Sequence, residues 1–283
     1  MSRGATFGRH LRIISPSEAG RQHPDGWSEA DREDKTMKGR IAVALVAGLW
    51  AASPGAQAQT VIKVGITPAG QPASGLNIET KQPEGFAIEI MQAVAADAGL
   101  SVQFEPMPFG ELQQALIDRK IDAIAGSYGI TPERQKAVAF THPYGSYRDV
   151  LIVKASNTTS YRSVADLKGS KISTSRGSSY VKPLEEAGAH VSLRTTPPES
   201  IAALDAGTVD GIVDNGLQLS FLLRSANAAG FRRVESYQPI LVGHLAFAVR
   251  KGDTDLLTAI DHSLSKLEAT GAVAAIKTKW GLD

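Results

Sequence analysis

The residue best suited to hold a charged ligand in this sequence is Arg134. It follows Thr131, Pro132 and Glu133, a helix start in which the Thr caps free N–H groups and the Pro fits the first turn. A cation gains nothing from the helix dipole at that end, whereas a guanidinium can donate bidentately to a carboxylate. Arg134 alone would more often form a surface salt bridge, so its role depends on what surrounds it.

Two other polar turns offer groups that suit a small ligand. The Gly-Ser-Ser turn at 177–179 precedes a predicted helix and provides free N–H groups and hydroxyls for an anion, although serines that cap a helix produce the same pattern. Asp214 and Asn215 end a predicted strand, and for Asp214 a helix cap and a ligand contact are about equally favoured. Together with Arg134 on a two-lobed protein, the Gly-Ser-Ser turn favours a carboxylate clamp.

The elements that position these residues alternate between strands and helices. The apolar run over 121–125 predicts a buried strand, which ends in the turn 126–129 directly before the helix of Arg134. In an open α/β sheet, ligands bind at the carboxyl ends of strands, so this turn is expected beside the ligand. Phe109 stands at a loop–helix junction, where a core aromatic is the commoner outcome and stacking on a ligand remains open.

The whole pattern predicts an α/β protein of two lobes. Residues 61–125 read as β-α-β-α-β, and a second α/β unit begins near 164. Strand-like crossings near 150–154 and 241–249 join the two units, and helices over 254–280 return to the first. The predicted division is lobe 1 over 59–150 and 245–283, and lobe 2 over 151–244.

Composition excludes several classes of function. The formal net charge is +1, so the basic excess expected of a nucleic-acid-binding protein is missing. The chain has no cysteine, which rules out disulfides, thiolate metal sites, cysteine nucleophiles and a lipid-modified cysteine. No histidine spacing fits a zinc site, and no phosphate-binding loop, dinucleotide fingerprint or nucleophile elbow occurs. We therefore expect no catalytic residues, no metal and no cofactor.

The N-terminal part predicts export. Residues 1–36 are polar and unpatterned, and we expect them to be disordered or to precede the true translation start at Met37. Residues 37–58 have the basic start, apolar segment and small-residue cleavage site of a secretory signal peptide. The apolar segment is too short for a membrane span. The mature protein would begin at Gln59 in the periplasm, without a lipid anchor.

The central stretch resembles a motif of the bacterial periplasmic solute-binding proteins, family 3, which serve as receptors of ABC importers for polar amino acids. That family has an Asp with two hydrophobic residues, then small residues, Ile-Thr-x-x-Arg, a strand with Phe, and Pro-Tyr. The matching residues here are Asp122, Ile130, Thr131, Arg134, Phe140, Pro143 and Tyr144. Weaker matches continue in order over nearly all of the predicted mature chain, and it is their order and spacing that make the resemblance specific.

The resemblance implies a type II periplasmic-binding-protein fold, in which two α/β lobes joined by a two-strand hinge close on the ligand. In such proteins the arginine holds the α-carboxylate of the solute, which would be the role of Arg134. A Gly-Thr-Thr-like turn of the second lobe completes this grip, and here it would be Ser178 and Ser179. The other residues that the resemblance places at the ligand are Phe109, Ser127, Tyr128 and Gly129.

Two positions depart from the family pattern, and both concern the ammonium group of an amino acid. Gly129 stands where the family has Ser or Thr, whose hydroxyl helps to hold the ammonium. Asn215 stands five residues after Asp210, where the family has the aspartate that pairs with the ammonium, and Asp214 lies one residue early. Either Asp214 takes that role through a shifted turn, or the solute is not an ordinary α-amino acid.

The resemblance implies a monomeric periplasmic receptor that binds an amino acid or a related small carboxylate and delivers it to an inner-membrane ABC permease. The alternative is an enzyme on the same fold, similar to the cyclohexadienyl dehydratases that act on prephenate or arogenate. An accessory protein of a periplasmic dehydrogenase is a third class. An enzyme would need a positioned acid in the cleft, and the sequence does not nominate one.

Overall fold

The computed structural model describes residues 59–225 and 228–282. The predicted leader (1–36) and signal peptide (37–58) lie outside these described residues, so both remain predictions. Across the two described ranges, no helix combines the length and the apolar character needed to cross a membrane.

The described chain alternates between strands and helices over most of its length. In chain order, the strands are β1 (Thr60–Ile66), β2 (Ala69–Gly70), β3 (Ser74–Leu76), β4 (Pro83–Glu84), β5 (Leu100–Pro106), β6 (Ala123–Ile124), β7 (Val138–Phe140), β8 (Gly145–Lys154), β9 (Lys171–Ser175), β10 (His190–Arg194), β11 (Gly211–Asn215), β12 (Phe231–Arg233), β13 (Val242–Leu245) and β14 (Ala248–Arg250). The helices are α1 (Phe86–Asp97), α2 (Leu112–Ile117), α3 (Pro132–Ala137), α4 (Val181–Glu186), α5 (Pro197–Asp205), α6 (Gly216–Ser225), α7 (Thr254–Ala269) and α8 (Ala272–Lys279).

The first lobe is built on a sheet with the strand order β5-β1-β6-β14-β7. β1 runs parallel to β5 and β6, whereas β14 comes from the far end of the chain and runs antiparallel to β6 and β7. The alternation that predicts β1 is seen in its burial, since Ile62 and Val64 are buried and Val61 is exposed. α1 packs against α7, so the C-terminal helices do return to this lobe.

The second lobe is built on a sheet with the strand order β10-β9-β11-β8-β12. β9 runs parallel to β10 and β11, as the predicted α/β unit requires, and β8 runs antiparallel to β11 and β12. The stretch 67–85, between β1 and α1, contains a small antiparallel sheet of β2, β3 and β4, which the β-α-β-α-β pattern predicted for 61–125 does not include. These strands have two or three residues each, too few for an alternating pattern to show.

The two lobes are connected by β8 and β13, which form an antiparallel pair that we call the hinge. The first part of β8, residues 145–148, pairs with β13, and its next residues pair with β11 of the second sheet. This arrangement confirms the predicted fold of two α/β lobes joined by two strands. The first connection begins at Gly145, before the predicted 150–154, because β8 is one unbroken strand of ten residues. The exact lobe boundaries at 150 and 245 fall within or at the ends of these strands and stay predictions.

A buried carboxylate fixes the segment that leads into β13. Asp149 of β8 is fully buried, and its Oδ1 accepts a hydrogen bond from the backbone N–H of Leu241 at 2.8 Å. Its Oδ2 accepts from the N–H of Ile240 at 3.1 Å and from the hydroxyl of Tyr237 at 3.2 Å. Burial raises the pKa of Asp149, and the three donors counteract that effect. Asp149 therefore serves the structure of the hinge region.

Candidate functional site

A cavity that is partly open to solvent lies between the two lobes. From the first lobe it is lined by Thr67, Phe109, Ser127 and Arg134. From the hinge and the second lobe it is lined by Tyr147, Ser175, Ser178, Ser179, Tyr180, Thr195, Pro197, Asp214, Asn215 and Gln218. The structure thus brings together at one cavity all of the residues predicted for the site except Tyr128 and Gly129.

Arg134 is held by hydrogen bonds from its own turn and from the opposite lobe. Its backbone N–H donates to Oγ1 of Thr131 at 3.2 Å, which is the predicted helix cap. Its Nη1 donates to the carbonyl oxygen of Gly129 at 2.9 Å, and its Nη2 donates to the carbonyl oxygen of Gly177 at 3.3 Å. These contacts fix the guanidinium and still leave donors free, because arginine has five side-chain N–H groups.

The guanidinium also lies between two aromatic rings. Its central carbon is 4.2 Å from the ring centre of Tyr128 and 5.2 Å from that of Phe109, so each ring faces the cation. Arg134 is only 8% exposed, and no carboxylate of the described residues lies within ion-pair distance of it. A buried cation without a counterion is unfavourable, so this site favours binding of an anionic group.

Serine hydroxyls face the cavity from both lobes. The N-cap position of α4 is Tyr180, and no side chain caps that helix, so Ser178 and Ser179 are not capping serines. The Oγ of Ser178 lies 3.1 Å from Oγ1 of Thr174. Across the cavity, the Oγ of Ser127 is buried and has no hydrogen-bond partner in the described part of the chain. Because a buried hydroxyl without a partner is costly, Ser127 is suited to bind a polar group in the cavity.

Asp214 brings a buried negative charge to the same cavity. It is 3% exposed, and its Oδ2 accepts hydrogen bonds from the backbone N–H of Ser175 at 2.8 Å and from the hydroxyl of Ser175 at 2.7 Å. Its Oδ1 accepts from the N–H of Asn215 at 2.8 Å. Burial raises the pKa of Asp214, and no cation among the described residues forms an ion pair with it. A cationic group in the cavity would stabilise its ionised form.

Asn215, rather than Asp214, makes the contact at the start of α6. Its Oδ1 accepts a hydrogen bond from the backbone N–H of Leu217 at 2.9 Å. The interpretation of Asp214 as the cap of the following helix is therefore not supported, because its carboxylate bonds to the end of β9 instead. Asn215 also stands opposite Asp149 in the β8–β11 pair.

Comparison with known protein families identifies the chain. The sequence model of the bacterial extracellular solute-binding proteins, family 3, matches residues 62–283. The chain belongs to this family. The resemblance predicted from the central stretch is confirmed, and the match extends to nearly all of the described chain.

Known relatives of this solute-binding protein cover most of its length. The L-cystine-binding protein TcyJ of Escherichia coli K12 is 26% identical over 261 residues, which is 87% of this chain and 94% of TcyJ. The ABC transporter arginine-binding protein 1 of the same organism is 28% identical over 249 residues, 86% and 99% of the two chains. The structure of an ancestral arginine-binding protein bound to glutamine superposes with a TM-score of 0.73 and is 30% identical, covering 80% and 99%. These likenesses confirm the type II fold.

Tyr128 and Gly129 do not line the cavity, but both contact residues that do. The ring of Tyr128 packs under the guanidinium of Arg134, and its hydroxyl donates to Oε1 of Gln113 at 2.8 Å. Gly129 faces Tyr147, and a Cβ at position 129 would collide with the hydroxyl and ring of that tyrosine. The departure of Gly129 from the family pattern thus has a steric reason, since Tyr147 fills the space of the missing side chain.

Half of the cavity residues were not predicted from the sequence. They are Thr67, Tyr147, Ser175, Tyr180, Thr195, Pro197 and Gln218. Most lie within strands or helices, where a polar or aromatic residue is more often explained by packing. One signal was present in β8, where Tyr147 and Asp149 alternate with exposed residues and so share a buried face.

We expect Arg134→Lys to weaken solute binding by about 2 kcal/mol or more, as for other buried charge pairs that lose their hydrogen bonds. Lysine keeps the charge, but it cannot reach the two carbonyl groups and a carboxylate together. Isothermal titration calorimetry measures the effect, with the exposed Arg148→Lys as a matched control. Equal affinity of Arg134→Lys and the parent protein would contradict this placement of the guanidinium.

We expect Gly129→Ala to lower the affinity roughly tenfold or more, about 1.4 kcal/mol. The new Cβ displaces the ring of Tyr147, which is 7% exposed and forms part of the cavity wall. Gly230→Ala is the matched control, because a Cβ there meets no atom within 4 Å. If Gly129→Ala and the control bind the solute equally tightly, displacement of the Tyr147 ring does not affect binding. The position of that ring is then not needed for the site.

Proposed function

We propose that this chain is the receptor of an ABC importer and that it binds an amino acid in the interlobe cavity. The observation that supports this most strongly is the charge pattern, because Arg134 and Asp214 line one cavity and neither forms an ion pair with any residue that the structure describes. An α-amino acid carries the complementary carboxylate and ammonium in one small molecule. The names of the two relatives, cystine-binding and arginine-binding, agree with this class of solute.

In this proposal the carboxylate of the solute is held from both lobes. Arg134 provides the bidentate donor, and the hydroxyls of Ser178 and Ser179 donate from the opposite side. The unpartnered hydroxyl of Ser127 provides a further donor within the first lobe. Phe109 covers the guanidinium and forms an apolar wall beside the solute.

Binding at this site would hold the lobes together. Arg134 of the first lobe already donates to Gly177 of the second, and a Cβ on Gly177 would lie 2.8 Å from the Cα of Gly110. Contacts this close exist only when the lobes approach each other, so a solute that bridges the lobes favours the closed arrangement. The inner-membrane permease would recognise this closed, loaded form. We also propose that the protein acts in the periplasm as a monomer.

A dehydratase-like enzyme is the alternative, and Asp214 is the residue to consider. A buried carboxyl with a raised pKa is what a general acid requires. Here, however, the carboxylate accepts bonds from the backbone N–H groups of Ser175 and Asn215. Such donors stabilise the ionised form and counteract the effect of burial, and an ammonium partner would stabilise that form further.

The proposal is tested by a thermal-shift screen of the mature protein against amino acids and organic acids, together with incubation with prephenate. We expect at least one amino acid to raise the melting temperature, because a ligand that binds the native state stabilises it. We expect no conversion of prephenate to phenylpyruvate. Turnover of prephenate, or no stabilisation by any amino acid, would overturn the proposal.

Asp214→Asn should weaken binding of an amino acid roughly tenfold or more, because the ammonium then lies buried without its counter-charge. Asn215→Asp should be neutral or should strengthen binding. In the parent protein burial raises the pKa of Asp214, so affinity should fall as decreasing pH protonates that carboxylate. Asp214→Asn should lose this pH dependence. Calorimetry over a pH series measures both effects.

Asp149→Asn is the matched control for a buried carboxylate outside the cavity lining, and it should affect melting more than binding. A solute without an ammonium group gives the opposite pattern, in which Asp214→Asn matters little and Asn215→Asp weakens binding. If neither variant at 214 and 215 changes affinity, this turn does not contact the solute.

A further inference from the structure

We infer that the solute carries a neutral, polar side chain and that Gln218 selects for it. This inference rests on the proposed function, in which the α-carboxylate and the ammonium of an amino acid are matched by Arg134 and Asp214. It concerns the remaining part of the cavity, which would surround the side chain of the solute.

Among the described residues, the cavity has no charged side chain left for that part of the solute. Apart from Arg134 and Asp214, the described residues that line it carry hydroxyl, amide, aromatic or proline side chains. Asp149 does not line the cavity, and both of its oxygens already accept hydrogen bonds. A cationic or anionic side chain would therefore lose its hydration without gaining a counterion, which is strongly unfavourable.

Gln218 offers the polar group that a neutral side chain needs. It lies in α6, lines the cavity and is 8% exposed. Its side-chain amide forms no hydrogen bond with any residue that the structure describes. An amide has two donor hydrogens and an acceptor oxygen, so it complements another amide or a hydroxyl.

Gln218 reaches the first lobe at a different place from the guanidinium contact. Its Nε2 would lie 3.2 Å from a Cβ placed on Gly70, which lies in β2, whereas Arg134 contacts Gly177. The two lobes therefore meet around the cavity at two separate points. One point carries the charged group for the carboxylate, and the other carries an uncharged amide.

Thr67 adds a second neutral group on the first-lobe side. It lines the cavity and is 6% exposed. Its backbone is fixed by Ser74, whose Oγ accepts from the N–H of Thr67 at 3.4 Å and donates to its carbonyl at 3.3 Å. A solute side chain with an amide or hydroxyl could bond to Gln218 and Thr67 together and thus bridge the lobes a second time.

The test is a calorimetric comparison of amino acids on the mature protein. The probes are L-glutamine, L-asparagine and L-serine as neutral polar solutes, L-arginine, L-lysine and L-glutamate as charged ones, and L-norleucine as an apolar one. We expect the tightest neutral polar probe to bind at least tenfold more tightly than any charged or apolar probe. The measured quantity is the ratio of the affinity for the tightest neutral polar probe to the affinity for L-norleucine. Gln218→Leu should reduce this ratio at least tenfold, and Thr67→Val should reduce it less.

Gln218→Glu provides a second variant of nearly unchanged size. Its added carboxylate should increase the affinity for L-arginine or L-lysine relative to L-glutamine. If Gln218→Leu fails to melt cooperatively, the change of preference in Gln218→Glu decides the question instead.

The outcomes separate this inference from the proposed function. If a charged or apolar amino acid binds tightest, the inference is wrong and the amino-acid receptor stands. If no amino acid binds, the proposed function itself fails. If neither Gln218 variant changes the order of affinities, Gln218 does not select the side chain.

Discussion

A buried guanidinium without an acidic partner is the constraint on which the interlobe site depends. Arg134 is satisfied only in part by two carbonyl oxygens and two aromatic faces, which stabilise a cation but do not neutralise it. Burial of such a group is tolerated when a ligand supplies the missing charge. The rest of the cavity can be understood from that requirement, since the serine hydroxyls around it are donors that suit the same anion.

The opposite charge lies on the other lobe. Asp214 lies near the end of β11 in the second sheet, whereas Arg134 lies in the first turn of α3 beside the first sheet. A solute that carries both charges therefore matches groups on both lobes. Binding of such a solute and approach of the two lobes would then favour each other. The hinge allows that approach because the lobes are connected by only two paired strands, while Asp149 keeps the segment leading into the hinge in place.

Contacts between residues far apart in the chain explain why this protein has glycine where its family commonly has a larger residue. Gly129 does not weaken the cavity wall, because the ring of Tyr147 occupies the space that a larger residue would need. Gly177 and Gly110 allow close backbone contact between the lobes, because a Cβ on Gly177 would collide with the Cα of Gly110. In both cases a small residue is explained by what packs against it from another part of the chain, and family membership alone would not show this.

Local patterns in the sequence were sufficient to predict the two α/β lobes, the helix cap at Thr131 and the place of Arg134 in the cavity, because these depend on the spacing of near neighbours. They also predicted five further site residues that line the cavity, namely Ser127, Ser178, Ser179, Asp214 and Asn215. The sequence could not decide whether Asp214 caps a helix, why Gly129 is a glycine, or that Thr67 and Gln218 approach from opposite lobes. Those features depend on contacts between residues far apart in the chain, and only the tertiary structure determines which distant side chains meet.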